Sequence, residues 1–116
     1  MKRLFAESRN FTKLVADRKI SDRSIKKVQI DIMNGLGDTI VGTGGLKKIR
    51  CGSEGRGKSG SWRIIFADYP KFNVTFFITA FPKNEKENLS DEEKSILFSL
   101  KRSLDKEVEV KYGLKK

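Results

Sequence analysis

A short apolar segment and a helical apolar pattern open the chain. Residues 4–6 predict a short first strand. Phe11, Leu14 and Val15 then recur at positions i, i+3 and i+4, which is the spacing of one helical face. Asn10 stands directly before them and is a residue type that caps helix N-termini. The pattern therefore predicts a strand followed by a short helix capped by Asn10.

A second helical pattern follows after a few polar residues. Ser21 is a plausible N-cap, and Gly35 and Gly37 supply a stop at the other end. Between them, four apolar side chains share one predicted face: Ile25, Val28, Ile32 and Leu36. Two consecutive short helices predict an N-terminal helical hairpin.

The middle of the chain changes from helical spacing to strand patterns joined by tight polar loops. Residues 47–51, 62–67 and 73–81 are three strand candidates, with a turn at 68–71. The third is apolar on both faces, which is typical of a central strand covered on two sides. Pro82 is expected to end it, because proline cannot donate a hydrogen bond to a neighbouring strand.

A longer amphipathic helix is predicted near the C-terminus. Ser90 and Glu93 have the spacing of a capping box. An apolar stripe follows at Ile96, Leu97, Leu100 and Leu104. Residues 108–116 are expected to form a terminal strand or to fray. The order predicts a single domain, residues 1–116, of the α+β class: a small, largely antiparallel sheet with an N-terminal helical hairpin and a C-terminal helix.

The net charge indicates a polyanionic partner. Lysine and arginine total 25 against 15 acidic residues, so the formal net charge is 25 − 15 = +10. Residues 47–63 hold six cations and one acid, and this short window therefore carries half of the excess, +5. Nucleic acid is the first candidate partner, and a membrane surface is a distant second.

Cys51 is the only cysteine, and histidine is absent. An intramolecular disulfide is therefore impossible, and neither a zinc site nor another cofactor is expected. No apolar run approaches the roughly 20 residues of a membrane-spanning helix. The basic N-terminus also lacks the apolar segment of a signal peptide. We expect a cytoplasmic protein with no membrane partner.

Residues 52–59 spell G-x-x-x-x-G-K-S, the pattern of a phosphate-binding P-loop. A P-loop requires a helix to begin at once, so that the N–H groups of its first turn bind the phosphates. Here Gly60 and Ser61 lead into a β-branched and aromatic run, which predicts a strand. Lys58 is then expected on a hairpin loop, and nucleotide hydrolysis is disfavoured.

Five cations lie on segments that a sheet could bring together: Lys48, Arg50, Arg63, Lys83 and Lys86. Lys48 and Arg50 are two residues apart and should project from one face of a strand. Metal-free RNA cleavage by the RNA's own 2′-hydroxyl needs a base, cations against the phosphorane and an acid for the leaving oxygen. Lysine can transfer protons where its pKa is lowered, and arginine holds phosphate oxygens bidentately.

Three segments, in this order, resemble the RelE/ParE toxin superfamily and especially its HigB-like branch. They are GTGGLKKIR at 42–50, GRGKSGSWRIIF at 55–66 and PKNEKENL at 82–89. The resemblance implies a microbial-ribonuclease-like fold and a type II toxin that cuts mRNA in the ribosomal A site. It also implies a cognate antitoxin, often of helix-turn-helix type, through which alone the toxin would reach operator DNA.

The resemblance also suggests roles for individual residues. The five cations above are its candidate catalytic residues, with Arg63 as the arginine that stabilises the transition state. RNA or ribosome contacts are expected from Lys47, Arg56, Lys58, Asn84 and Phe81. Relatives often have tyrosine where Phe81 and Phe66 stand. Phe81 could still stack on a base, but a lysine would have to replace a tyrosine that acts as acid or base.

Two other functions stay open at this point. A ParE-like inhibitor of DNA gyrase would share the fold but act by binding alone. A non-catalytic RNA-binding module would explain the charge without catalysis.

Overall fold

A five-stranded sheet forms the centre of the structure, a computed structural model that describes residues 2–52, 61–83 and 88–113. Its strands are β1 (Leu4–Glu7), β2 (Asp38–Thr39), β3 (Lys47–Cys51), β4 (Trp62–Tyr69) and β5 (Val74–Pro82). They lie in the spatial order β1-β5-β4-β3-β2. The α+β class is confirmed. The sheet is mixed, because the outer strand β1 runs parallel to β5 while the other neighbours are antiparallel.

Two helices, α1 (Arg9–Asp17) and α2 (Asp22–Met33), cover one face of the sheet. Phe11 of α1 stacks on Phe77 of β5 with ring centroids 5.0 Å apart. Val28 and Ile32 of α2 belong to the same buried cluster as Phe66. Each fully buried aliphatic or aromatic side chain of this kind contributes about 1.5–3 kcal/mol to folding. The apolar faces predicted for both helices therefore form this half of the core.

The predicted cap of α1 is wrong. Ser8, not Asn10, precedes the helix, and its Oγ accepts a hydrogen bond from the Phe11 amide at 3.0 Å. Asn10 lies inside the first turn and donates through Nδ2 to Thr79 Oγ1 of β5 at 2.9 Å. Both serine and asparagine suit an N-cap, and both residues also contact β5 here, since the Ser8 amide and hydroxyl donate to the Phe77 and Ile78 carbonyl oxygens.

The predicted cap of α2 is confirmed, since Ser21 Oγ accepts from the Ser24 amide at 3.1 Å. Leu36 does not extend the apolar face of this helix. The helix ends at Met33, with a glycine of positive φ at position 35, and Leu36 is exposed beyond the turn.

Strand β4 continues two residues beyond its predicted end. Asp68 and Tyr69, expected in a turn, pair with Thr75 and Val74 of β5, and the turn is formed by Pro70–Phe72 instead. The central position of β5 between β1 and β4 is confirmed, and Pro82 is its last residue.

Helix α3 (Asp91–Val108) covers part of the other face. The capping box of Ser90 and Glu93 is confirmed. Leu97 and Leu104 pack on the sheet, whereas the Ile96 and Leu100 side chains are exposed. Lys101 and Val108 are the buried residues of this helix, so its buried face runs through Leu97, Lys101, Leu104 and Val108 and is rotated away from Ile96 and Leu100.

The chain continues from α3 into a π-helical turn at Glu109–Gly113, so no strand forms over these residues. Among the described residues, no helix is both long enough and apolar enough to cross a bilayer.

Candidate nucleic-acid interface

Basic side chains from neighbouring strands lie on the face of the sheet that α3 partly covers. Arg50 of β3 pairs directly with Arg63 of β4, and Arg63 pairs directly with Phe81 of β5. Directly paired residues project from the same face of a sheet, so these three side chains form one row. Lys48 pairs with Ile65, which packs in the core cluster beneath α3. The predicted common face of Lys48 and Arg50 is therefore confirmed.

Lys83 lies at the end of the same row of strands. Its amide donates to the carbonyl oxygen of Ser61 at 3.2 Å, which continues the pairing of β4 and β5 past Pro82. Lys83 itself lies in the turn that follows β5, and its side chain is exposed. Four predicted site residues thus come together at one end of the sheet: Lys48, Arg50, Arg63 and Lys83. We call them the cationic cluster.

The two arginines of the cluster differ in their hydrogen bonds. Arg50 is exposed, and its Nη2 donates to Ser61 Oγ at 3.1 Å. Arg63 is half-buried, and its Nε is buried without a hydrogen-bond partner among the described residues. Leaving such a donor unsatisfied costs about 1–3 kcal/mol. Like charges directly opposite on neighbouring strands also repel. A bound anion between the two guanidinium groups would relieve both costs.

Lys48 stands between two clefts. On the side of α2 the lining includes Asp31 and Asp38, and on the side of α3 it includes Phe81 and Lys94. Asp38 is the cross-strand partner of Lys48, but the two form no ion pair. Within the described part of the chain, no cation of the cluster has a carboxylate partner.

Among the described residues, the predicted site residue Lys47 is not brought into the cluster. Lys47 pairs with Phe66, so it projects from the opposite face of β3, toward the α1 and α2 side. Phe66 is fully buried there and cannot contact RNA. Four predicted residues, Arg56, Lys58, Asn84 and Lys86, lie outside the described residues. The strand that follows at Trp62 is incompatible with a P-loop, which needs a helix at that point.

Two site residues were missed by sequence reasoning. Ser61 lies two positions before Arg63, but nothing in the sequence around it predicts its hydrogen bond with Arg50. Lys94 belongs to the polar surface of α3, and only the packing of that helix brings it into a cleft with Lys48.

Cys51 adjoins Arg50, but its side chain lies in the core cluster on the opposite face of the sheet. Cys51 is buried, and burial raises the pKa of its thiol to about 11, which keeps it protonated and unreactive. No group of three His, Cys, Asp or Glu side chains among the described residues is placed to hold a metal ion.

One family model matches almost the whole chain. Its description is "RelE toxin of RelE / RelB toxin-antitoxin system", and it covers residues 2–111. The five strands and the helices α1, α2 and α3 lie within this range. The resemblance to the superfamily is confirmed, while the HigB-like branch stays a prediction. Membership implies the role of a toxin with a cognate antitoxin as partner. The chain belongs to the RelE toxin family.

Proposed function

We propose that the protein is a ribosome-dependent mRNA endoribonuclease of a type II toxin–antitoxin system. The 2′-oxygen of the RNA forms a bond to the adjacent phosphorus, and the bond to the 5′-oxygen breaks. One proton leaves the 2′-hydroxyl and another reaches the 5′-oxygen, giving a 2′,3′-cyclic phosphate and a 5′-hydroxyl end. The toxin acts in the cytoplasm, stops translation and is neutralised by an antitoxin of helix-turn-helix type.

The pairing of Arg50 with Arg63 carries this proposal. Two guanidinium groups opposite each other, one with a buried unpartnered Nε, match the oxygens of a phosphate whose charge grows in the transition state. Phe81 lies beside Arg63 and supports stacking of a base next to that phosphate.

The other cations are assigned to proton transfer. Lys48 lies on the same face as the arginine pair, Lys83 follows β5 at the same end of the sheet, and Lys86 follows Lys83 in the sequence. With no histidine in the chain, these lysines are our candidates for general base and acid. Ser61 positions Arg50 and does not take part in the chemistry.

The test replaces Arg63 by alanine and compares it with Arg9→Ala, an exposed arginine on α1 at the opposite face. Cleavage of mRNA on programmed ribosomes should fall at least about 100-fold in Arg63→Ala. Arg9→Ala should cleave like the wild type. Circular dichroism and denaturant unfolding check that both variants fold. A folded Arg63→Ala variant with full activity contradicts the proposal.

The alternatives give different results in the same experiments. A gyrase inhibitor would induce the DNA-damage response on expression and leave ribosome-bound mRNA intact. Equal cleavage of naked and ribosome-bound RNA would contradict the dependence on the ribosome. A binding module would retain RNA without cutting it.

A further inference from the structure

A cleft of about 260 Å³ opens next to the cationic cluster. Lys48 and Phe81 line it from the sheet, and Lys94 lines it from the first turn of α3. Thr39 and Asn88 add a hydroxyl and an amide to its wall. The cleft thus combines cations, an aromatic ring and neutral hydrogen-bonding groups, which is the mixture that binds single-stranded RNA.

The glycine turn before β3 determines where Lys94 lies. A Cβ on Gly42 would be 3.4 Å from Lys94 Cδ, and one on Gly44 would be 3.2 Å from Phe98 Cδ1. Lys94 and Phe98 are four residues apart, so one face of α3 lies directly on this turn. Because the turn has no side chain at these two positions, the helix can approach closely and direct Lys94 along the cleft.

A hydrogen-bonded network about two turns further along α3 fixes the rotation of the helix about its own axis. Asp105 Oδ1 accepts from Lys101 Nζ at 2.6 Å and from the Tyr69 hydroxyl of β4 at 2.6 Å. Lys101 lies seven residues after Lys94 and therefore on the same face of the helix. Lys101 has a carboxylate partner, whereas the Lys94 ammonium has none within the described part of the chain.

We propose that this cleft is a second nucleotide subsite and that Lys94 binds a phosphate of the nucleotide next to the scissile phosphate. The base of that nucleotide lies against Phe81, within reach of Thr39 and Asn88. This inference rests on the proposed function, and it adds a residue from α3 to a site otherwise built on the sheet.

The test compares Lys94→Gln with Lys106→Gln, an exposed lysine twelve residues later on the same helix, roughly 18 Å along its axis. Lys94→Gln should lower kcat/KM on ribosome-bound mRNA about tenfold, because a charge-assisted phosphate contact is lost. Lys94→Arg should restore most of the activity, and Lys106→Gln should cleave like the wild type.

A second measurement separates binding from structure. Binding of a single-stranded RNA oligonucleotide is followed against salt concentration. The slope of log K against log salt should become shallower by about 0.7 in Lys94→Gln, the value for one lost phosphate contact. Wild-type activity in Lys94→Gln, or an unchanged slope together with no rescue by Lys94→Arg, overturns the subsite.

Failure of this inference is distinguishable from failure of the proposed function. If Arg63→Ala is inactive while Lys94→Gln is fully active, the subsite is wrong and the ribonuclease assignment stands. If wild-type protein does not cleave mRNA, the ribonuclease assignment is wrong, and the salt slope alone decides whether Lys94 binds RNA phosphate.

Discussion

The two ends of β4 differ in whether their charged side chains have partners within the chain. Its first residues belong to the cationic cluster, in which no cation has a carboxylate partner within the described part of the chain. At its other end, charged and polar side chains form two separate hydrogen-bonded groups. We call this set the anchored end: Arg3, Asp68, Thr75, Tyr69, Lys101 and Asp105.

The two arginines at these ends show what the difference means. Both have a buried Nε without a partner among the described residues. Arg3 Nη1, however, donates to Asp68 Oδ1 at 2.7 Å and to Thr75 Oγ1 at 3.3 Å, while the Arg63 guanidinium has no side-chain hydrogen-bond partner within the described part of the chain. The chain supplies the counter-charge of Arg3, whereas no described carboxylate contacts Arg63. Charges at the anchored end are therefore paired within the fold, and we expect those of the cluster to be paired by a ligand.

The largest stability effect is expected from removing the anion that the chain supplies. Asp68→Ala should lower the free energy of unfolding by about 3 kcal/mol, because it leaves the buried Arg3 guanidinium without a counter-charge. Arg63→Ala should leave the free energy of unfolding unchanged or raise it slightly, because it removes repulsion from Arg50. Urea unfolding at neutral pH measures both.

Asp17→Ala is the matched control for the loss of one acidic side chain, since Asp17 is exposed at the end of α1. It should change the unfolding free energy by less than about 0.5 kcal/mol. Equal losses of stability in Asp68→Ala and Arg63→Ala would contradict the division between the two ends.

Local rules predicted the cluster well. Alternation along a strand placed Lys48 and Arg50 on one face, and the glycine-rich segment followed by an apolar run predicted the hairpin that brings Arg63 beside them. The same rule separates Lys47 from this face, although the charge of the window alone grouped it with the others.

Contacts between distant elements were not predictable from the sequence. Asp68 and Tyr69 have the composition of a turn, but their partners Arg3 and Asp105 lie 65 and 36 positions away in the chain and keep them in the strand. Lys94 enters a cleft with Lys48 only because α3 packs on the glycine turn. Neither pairing leaves a periodic signal in the sequence.

A second comparison uses Phe66 and Phe81, two phenylalanines on opposite faces of the sheet. Phe66 is fully buried between the sheet and the α1 and α2 face, and Phe81 is half-buried at the cleft. Phe66→Tyr should lower the free energy of unfolding by about 2 kcal/mol, because it buries a hydroxyl in an apolar cluster.

Phe81→Tyr is the matched control, since its hydroxyl can reach solvent at the cleft, and it should change stability by less than about 0.5 kcal/mol. Thermal or urea unfolding of Phe66→Tyr and Phe81→Tyr shows whether each ring lies in a buried or a solvent-accessible site. Equal stability of the two variants would show that solvent reaches the Phe66 side chain.

The smallest effect is expected from the hydroxyl of Tyr69 at the anchored end. Tyr69→Phe should lower the free energy of unfolding by about 1 kcal/mol at pH 7, because one hydrogen bond to Asp105 is lost while Lys101 still binds that carboxylate. Burial, and then the hydrogen bond and charge of Asp105, raise the pKa of Tyr69 well above its ordinary value of 10.0.

A raised pKa means that the folded protein keeps the Tyr69 proton where the unfolded chain releases it. The associated stability is complete below about pH 10 and is lost as the pH rises from there toward the folded pKa. Wild-type protein should therefore lose more stability per pH unit than Tyr69→Phe above pH 10, and its advantage of about 1 kcal/mol at pH 7 should shrink as the pH rises. Urea unfolding of both proteins across this range measures the difference. Parallel curves above pH 10 would mean that Tyr69 ionises freely in the folded state, and the anchored end would then be no better paired than the cluster.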